Sequence, residues 1–69
     1  MTLTELRESV PMNIPDLARA SGVDAQTIRN AEAGQRIYAR SARAIAEALS
    51  EALGRTIQVR DIDGLQVRL

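Results

Sequence analysis

Proline and glycine divide the chain into five short segments, with breaks at Pro11, Gly22, Gly34 and Gly54. Proline lacks the backbone donor that a helix interior needs, and glycine favours turns, so each segment has room for one short helix or strand. In a chain of 69 residues, no such segment can bury its apolar face alone. The chain is therefore predicted to form one domain over residues 1–69, built around a shared core.

The first two segments contain capping boxes, in which side chains bond the free amides at the start of a helix. Thr2 with Glu5 predicts a first helix, which ends before the proline that follows it. Asn13 with Asp16 predicts a second helix over about residues 14–21.

A tight turn is predicted after the second helix, because Gly22 is suited to a left-handed backbone. Asp24 is then expected to cap a third helix over about residues 25–33. Ile28 and Ala31 are spaced as the inward stripe of that helix, and its other positions are mainly polar.

The last two segments differ in how firmly they predict a structure. Apolar residues at helical spacing predict that residues 41–53 form the longest helix. After it, residues 57–61 can pair with residues 65–69 as a hairpin, or residues 59–63 can form one helical turn that packs Ile62 on the core. We prefer the short helix.

Together these segments predict an all-α fold, a compact bundle of four to five helices with a central helix-turn-helix over about residues 14–33. A domain this small buries a limited share of its surface, so association would stabilise it. We therefore expect a homodimer, to which the tail of residues 55–69 contributes.

Composition excludes several classes of site. The chain contains no cysteine and no histidine, which removes disulfides, thiolate chemistry and the commonest zinc ligands. Glycine patterns that bind phosphate or dinucleotides are also absent, and no serine has an evident base. We therefore predict that the protein is not an enzyme, and we expect no catalytic residue, metal or cofactor.

Charge is distributed unevenly along the chain. Nine arginines balance nine acidic residues, yet residues 19–43 hold five arginines against only Asp24 and Glu32. This local excess favours an anionic partner. No stretch is apolar enough to span a membrane, and the first residues lack the pattern of a signal peptide. A cytoplasmic location without membrane partners is therefore expected.

Residues 17–36, LARASGVDAQTIRNAEAGQR, resemble the helix-turn-helix family of the lambdoid phage repressors and Cro proteins, also called the XRE family. The family has a small residue in the first motif helix, a glycine in the turn and an aliphatic residue in the second helix. Ala18, Gly22 and Ile28 match these positions. The reason is close packing, since two steeply crossing helices need a small contact residue and a left-handed turn.

The resemblance extends from about residue 6 to residue 62. It implies a partly buried ion pair between Arg7 in the first helix and Glu32 at the end of the third. The family favours serine or threonine at the position of Asp24 and often glutamine at that of Ala25. Because of these departures, the sequence preference of a relative does not transfer to this chain.

In the family, the second motif helix enters the major groove of DNA and contacts base edges. Amide side chains can bond adenine there, and methyl groups can contact the methyl of thymine. Arg29 is compatible with a contact either to guanine or to a phosphate. By position, the resemblance implies base contacts from Ala25, Gln26 and Asn30. Thr27, through its methyl group, and Arg29 are further candidates on the same helix.

The resemblance also implies contacts to the DNA backbone, from amides near Asn13 and Ile14 and from the loop of residues 35–40. Arg40 aligns with a position that can enter the minor groove, and a free surface arginine is the alternative. Tyr38 can equally cover the core or contact a phosphate. The side chains of this loop expected at a phosphate or in the minor groove are Gln35, Arg36, Tyr38 and Arg40.

The resemblance therefore implies a sequence-specific transcriptional regulator that binds double-stranded DNA. We expect a small repressor from a phage, plasmid or other mobile element, which binds an inverted-repeat operator as a homodimer. The alternative is an antitoxin or regulatory module whose main partner is another protein, docked on Leu65, Val67 and Leu69. A protein antagonist or co-regulator is compatible with both.

Overall fold

A computed structural model describes residues 1–68, which form four α-helices, one 3-10 turn and two β-strands. The strands are β1 (Arg36–Tyr38), between the third and fourth helices, and β2 (Gln66–Arg68), at the end of the described residues. The 3-10 turn covers Val59–Asp61. The helices are α1 (Leu3–Ser9), α2 (Ile14–Ser21), α3 (Ala25–Glu32) and α4 (Ala39–Leu53).

The prediction of an all-α bundle is wrong, because β1 and β2 pair in parallel to form a two-stranded sheet. Ile37 lies opposite Val67, and these two side chains pack on the core. Each strand has only three residues and one polar–apolar–polar alternation, which is too short to produce a recognisable period of two. The segment interpreted from sequence as a loop, residues 35–40, contains β1.

The starts of the first two helices agree with the sequence signals. The Oγ1 atom of Thr2 accepts a hydrogen bond of 3.2 Å from the Glu5 amide, and Oδ1 of Asn13 accepts one of 2.8 Å from the Asp16 amide. The hydrogen bonds from Thr2 to the Glu5 carboxylate lower the pKa of that group. Both predicted capping boxes are therefore confirmed.

The tail forms the preferred short helix and then a strand, which sequence reasoning included only in the alternative hairpin. The 3-10 turn precedes Ile62, which is buried as expected. The Ile57 amide donates to Oγ of Ser50 at 2.7 Å, which attaches the tail to α4. Residues 66–68 are extended, but they pair with β1 rather than with residues 57–61. Leu69, the last residue of the proposed docking strand, lies outside the described residues.

All elements share one core. The most deeply buried large side chains come from α2, α3 and α4, and α1 contributes two further buried leucines. The amino terminus also joins the tail, since the carbonyl of Met1 accepts a 2.9 Å hydrogen bond from the Asp63 amide. Within residues 1–68, no helix is long and apolar enough to cross a membrane. The largest fully buried side chains are Leu17, Ile28, Ile45 and Leu49.

Candidate nucleic-acid interface

The position of α3 is set by a short turn that follows α2. Gly22 has a φ of 74°, in the left-handed region, and ends α2 with a 2.9 Å hydrogen bond from its amide to the Ala18 carbonyl. Oγ of Ser21 accepts from the Val23 amide at 3.2 Å, and Val23 is buried. Ile28 is fully buried on the inner face of α3. The opposite face of α3 is therefore held outward by its own core packing.

Two amide side chains are coupled on that outer face. Gln26 and Asn30 are four residues apart, which places them on one side of the helix. Nε2 of Gln26 donates a 3.0 Å hydrogen bond to Oδ1 of Asn30. This leaves Oε1 of Gln26 as an acceptor and Nδ2 of Asn30 as a donor, without another partner in residues 1–68. A donor beside an acceptor is what the major-groove edge of adenine requires.

The other candidate base contacts on α3 differ in what they can offer. Arg29 is exposed and forms no ion pair within residues 1–68. Ala25 and Thr27 are half-buried, and each has a methyl group to offer. The Thr27 hydroxyl donates to the Asp24 carboxylate. Asp24 occupies the N-cap position, but its side chain bonds no backbone amide, so the prediction that it caps α3 is wrong in this respect.

The start of α2 offers fewer free amides than expected. The Asn13 amide donates to the carboxylate of Asp16 at 3.2 Å, and the Asp16 amide donates to Asn13. Between them, Pro15 has no amide hydrogen to donate. Among these first residues, the amide of Ile14 is the one that has no hydrogen bond within the described chain. A phosphate at this position could therefore accept a hydrogen bond from the Ile14 amide. To bond the Asn13 amide as well, it would have to replace the Asp16 carboxylate.

The sheet brings a side chain to the candidate surface that sequence reasoning missed. Arg68 on β2 lies opposite Tyr38 on β1, and its guanidinium carbon is 5.2 Å from the centre of the Tyr38 ring. The guanidinium carbon of Arg40 is 5.0 Å from the same point. Tyr38 is 52% exposed, so it lies on the outer face of the sheet and does not cover the core. We call Tyr38, Arg40 and Arg68 the Tyr38 cluster.

Two further residues from the loop prediction lie close to this cluster in the chain. Arg36 and Gln35 are exposed, and Arg36 is two positions before Tyr38 on the same face of β1. The sequence contains only a trace of the pairing that positions Arg68, the shared pattern of Arg36-Ile37-Tyr38 and Gln66-Val67-Arg68, and three residues are too few to predict a sheet. Each segment places one apolar residue between two polar ones.

The charges of α4 are arranged against the helix dipole. Arg40 lies in its first turn and Glu51 in its last turn, with Arg43 and Glu47 between them. A helix is stabilised by acidic residues in its first turn and basic residues in its last turn, so each charge placed the other way there destabilises it by about 0.3–1 kcal/mol. Tyr38, at the N-cap, supplies no capping hydrogen bond. The start of α4 therefore carries positive charge that no ion pair within residues 1–68 neutralises.

The starts of α3 and α4 are adjacent. One cleft is lined by the turn before α3 and by the first turns of α4. Arg40 therefore connects the Tyr38 cluster with the turn that positions α3. The residues lining the cleft are Ser21, Gly22, Val23, Asp24, Arg40, Ser41 and Ala44.

The ion pair expected between Arg7 and Glu32 is present and joins α1 to α3. Nε of Arg7 lies 2.8 Å from Oε2 of Glu32, and the two side chains are 13% and 14% exposed. Arg7 also donates to the Met12 carbonyl at 2.8 Å, and the Thr4 hydroxyl donates to Glu32 at 3.0 Å. The hydrogen bonds with Glu32 raise the pKa of Arg7, so its guanidinium stays charged. This pair is structural, because it lies at the far end of α3 from the turn.

No protein-family model, curated protein or solved structure matches the chain. The functional assignment therefore depends on the residues of the chain and their geometry.

Proposed function

We propose that the protein is a sequence-specific DNA-binding regulator of transcription, which reads the major groove with α3. The observation that carries this proposal is the coupled amide pair of Gln26 and Asn30, 3.0 Å apart on the outer face of a short helix. The inner face of the same helix is fixed by the fully buried Ile28. A rigid helix with paired amides on its exposed side can bond base edges without first ordering those side chains.

Charge and position support the same function. The arginines at the start of α4 and on β1 provide positive charge for the DNA backbone, close to the turn that precedes α3. The resemblance of residues 17–36 to the lambdoid repressor family agrees with this arrangement. In that type of complex, backbone contacts set the register and base contacts provide specificity. We infer a homodimer on an inverted repeat as the form that binds.

Packing of the tail favours DNA reading over the alternative of a protein-docking module. Leu65 and Val67 are half-buried and pack against the core of their own chain. The strand that contains Val67 already pairs with β1. An apolar docking strand would have to leave these contacts before it could bind another protein, whereas the outer face of α3 requires no such change.

The test starts from selection of binding sites out of a random duplex pool with untagged protein. An enriched inverted repeat is the expected result. On the selected site, Gln26→Ala and Asn30→Ala should each weaken binding by about 1–3 kcal/mol, with little effect on a scrambled duplex. Gln58→Ala is the matched control, because Gln58 is an exposed glutamine in the tail, remote in sequence from α3.

Two results would contradict the proposal. One is wild-type protein that shows no salt-dependent binding to any duplex. The other is a selected site that both α3 variants bind as tightly as the wild type, which would remove α3 as the reading element.

A further inference from the structure

The outer face of the small sheet concentrates positive charge around one aromatic ring. The parallel register places Arg68 beside Tyr38, and Arg40 approaches the same ring from the first turn of α4. The two guanidinium carbons lie 5.0 and 5.2 Å from the ring centre. They are therefore no more than about 10 Å apart, which is the Debye length at 0.1 M salt.

Two exposed like charges within this separation repel each other weakly, and an anion between or above them offsets that repulsion. Neither arginine forms an ion pair within residues 1–68, and neither does Arg36 on the same face of β1. The Tyr38 ring offers each guanidinium a cation–π contact, which is a weak attraction at an exposed site. The Tyr38 cluster is thus a cationic surface whose anion is not supplied by the described chain.

We propose that β2 is part of the DNA-binding surface and that Arg68 contacts the phosphate backbone next to the major-groove contact of α3. This inference rests on the proposed function for the choice of duplex DNA as the ligand. It gives β2 a role in binding DNA that the sequence alone did not indicate.

The shape of the surface favours a strand of phosphates over a small anion. Tyr38, Arg40 and Arg68 are all exposed, so the cluster is open rather than enclosed. Arg40 also borders the cleft beside the turn before α3. The cationic surface is therefore continuous with the end of the molecule from which α3 begins. A polyanion that contacts α3 can extend along this path, whereas a free phosphate would have no enclosing site.

The experiment measures binding to the selected duplex and to a scrambled duplex as a function of salt, with untagged protein. Arg68→Ala should weaken binding to both duplexes to a similar degree and reduce the slope of log affinity against log salt by about 0.9. Arg68→Lys should keep the wild-type slope, because it keeps the charge. Arg60→Ala is the matched control, since it removes the same charge from an exposed residue of the 3-10 turn.

The outcomes separate this inference from the proposed function. If the wild type binds its selected site and Arg68→Ala has the same slope as the wild type and Arg60→Ala, the role of β2 is overturned while α3 remains the reader. An equal loss of slope in Arg60→Ala and Arg68→Ala would also overturn it, because the effect would then come from net charge alone. Wild-type protein that binds no duplex would overturn both proposals. Thermal melting of each variant verifies that it is folded.

Discussion

Gly22 is the single residue on which the position of α3 depends most directly. A Cβ atom added at Gly22 would meet nothing within 4 Å, so a substitution there is opposed only by the positive φ of 74°. We expect Gly22→Ala to lower the free energy of unfolding by about 1–2 kcal/mol. Gly22→Asn should cost less, because asparagine tolerates the left-handed region better than alanine does. Urea unfolding of the three proteins tests this order.

An alanine variant as stable as the wild type would mean that the turn is not left-handed in solution. The expected base contacts of α3 would then lose their support, because they depend on the position that this turn gives the helix. At this scale the sequence was informative wherever a residue has a local role, as in the capping pairs of Thr2 with Glu5 and Asn13 with Asp16. It was uninformative for Arg68, whose surroundings depend on a strand distant in the chain.

At the scale of elements, α1 is attached to α3 by the ion pair of Arg7 with Glu32 as well as by buried leucines. Glu32→Leu should lower the free energy of unfolding by about 1–3 kcal/mol, because it leaves Nε and Nη2 of Arg7, a largely buried side chain, without their acceptor. The double variant Arg7→Met with Glu32→Leu should cost less than the sum of the single changes, since two apolar side chains can replace a buried pair. A double-mutant cycle in urea measures the coupling.

The exposed pair of Arg19 with Asp16 is the control for this cycle. Its side chains are 75% and 41% exposed, so its coupling should be about 0–1 kcal/mol. Coupling between Arg7 and Glu32 no larger than this value would contradict the structural role that we assign to the pair.

Helices and strands differed in how well the sequence predicted them, for a physical reason. The helices show apolar residues at helical spacing, and α1, α2 and α4 each have a capping side chain or a terminal glycine next to them in the chain. The pairing of β1 with β2 joins residues that are thirty positions apart, such as Ile37 and Val67. No local pattern encodes that contact, so the sheet and the Tyr38 cluster built on it could not be predicted, whereas the outer face of α3 could.

For the whole molecule, the principal dimensions of 28 × 22 × 18 Å set the geometry of a dimer on DNA. Two copies side by side can present their α3 helices about 34 Å apart, one turn of the double helix. Sedimentation of the protein with a duplex that carries both half-sites should therefore show two chains bound cooperatively. Insertion of about 5 base pairs between the half-sites should abolish the cooperativity, because it turns one half-site to the opposite side of the duplex.

A chain that binds a lone half-site as tightly as the full inverted repeat would contradict the dimer. That result would leave the proposed reading role of α3 intact, since one α3 can contact one half-site.

The parallel direction of the two strands also determines where a fused segment would emerge. Parallel strands end at the same edge of their sheet, so β2 ends beside the end of β1, where α4 begins. An affinity tag or a fluorescent protein attached after Leu69 would start two residues beyond Arg68, which itself lies beside the Tyr38 ring. Such a fusion would partly cover the cationic surface. Weak DNA binding by the fusion would then reflect where the label was attached.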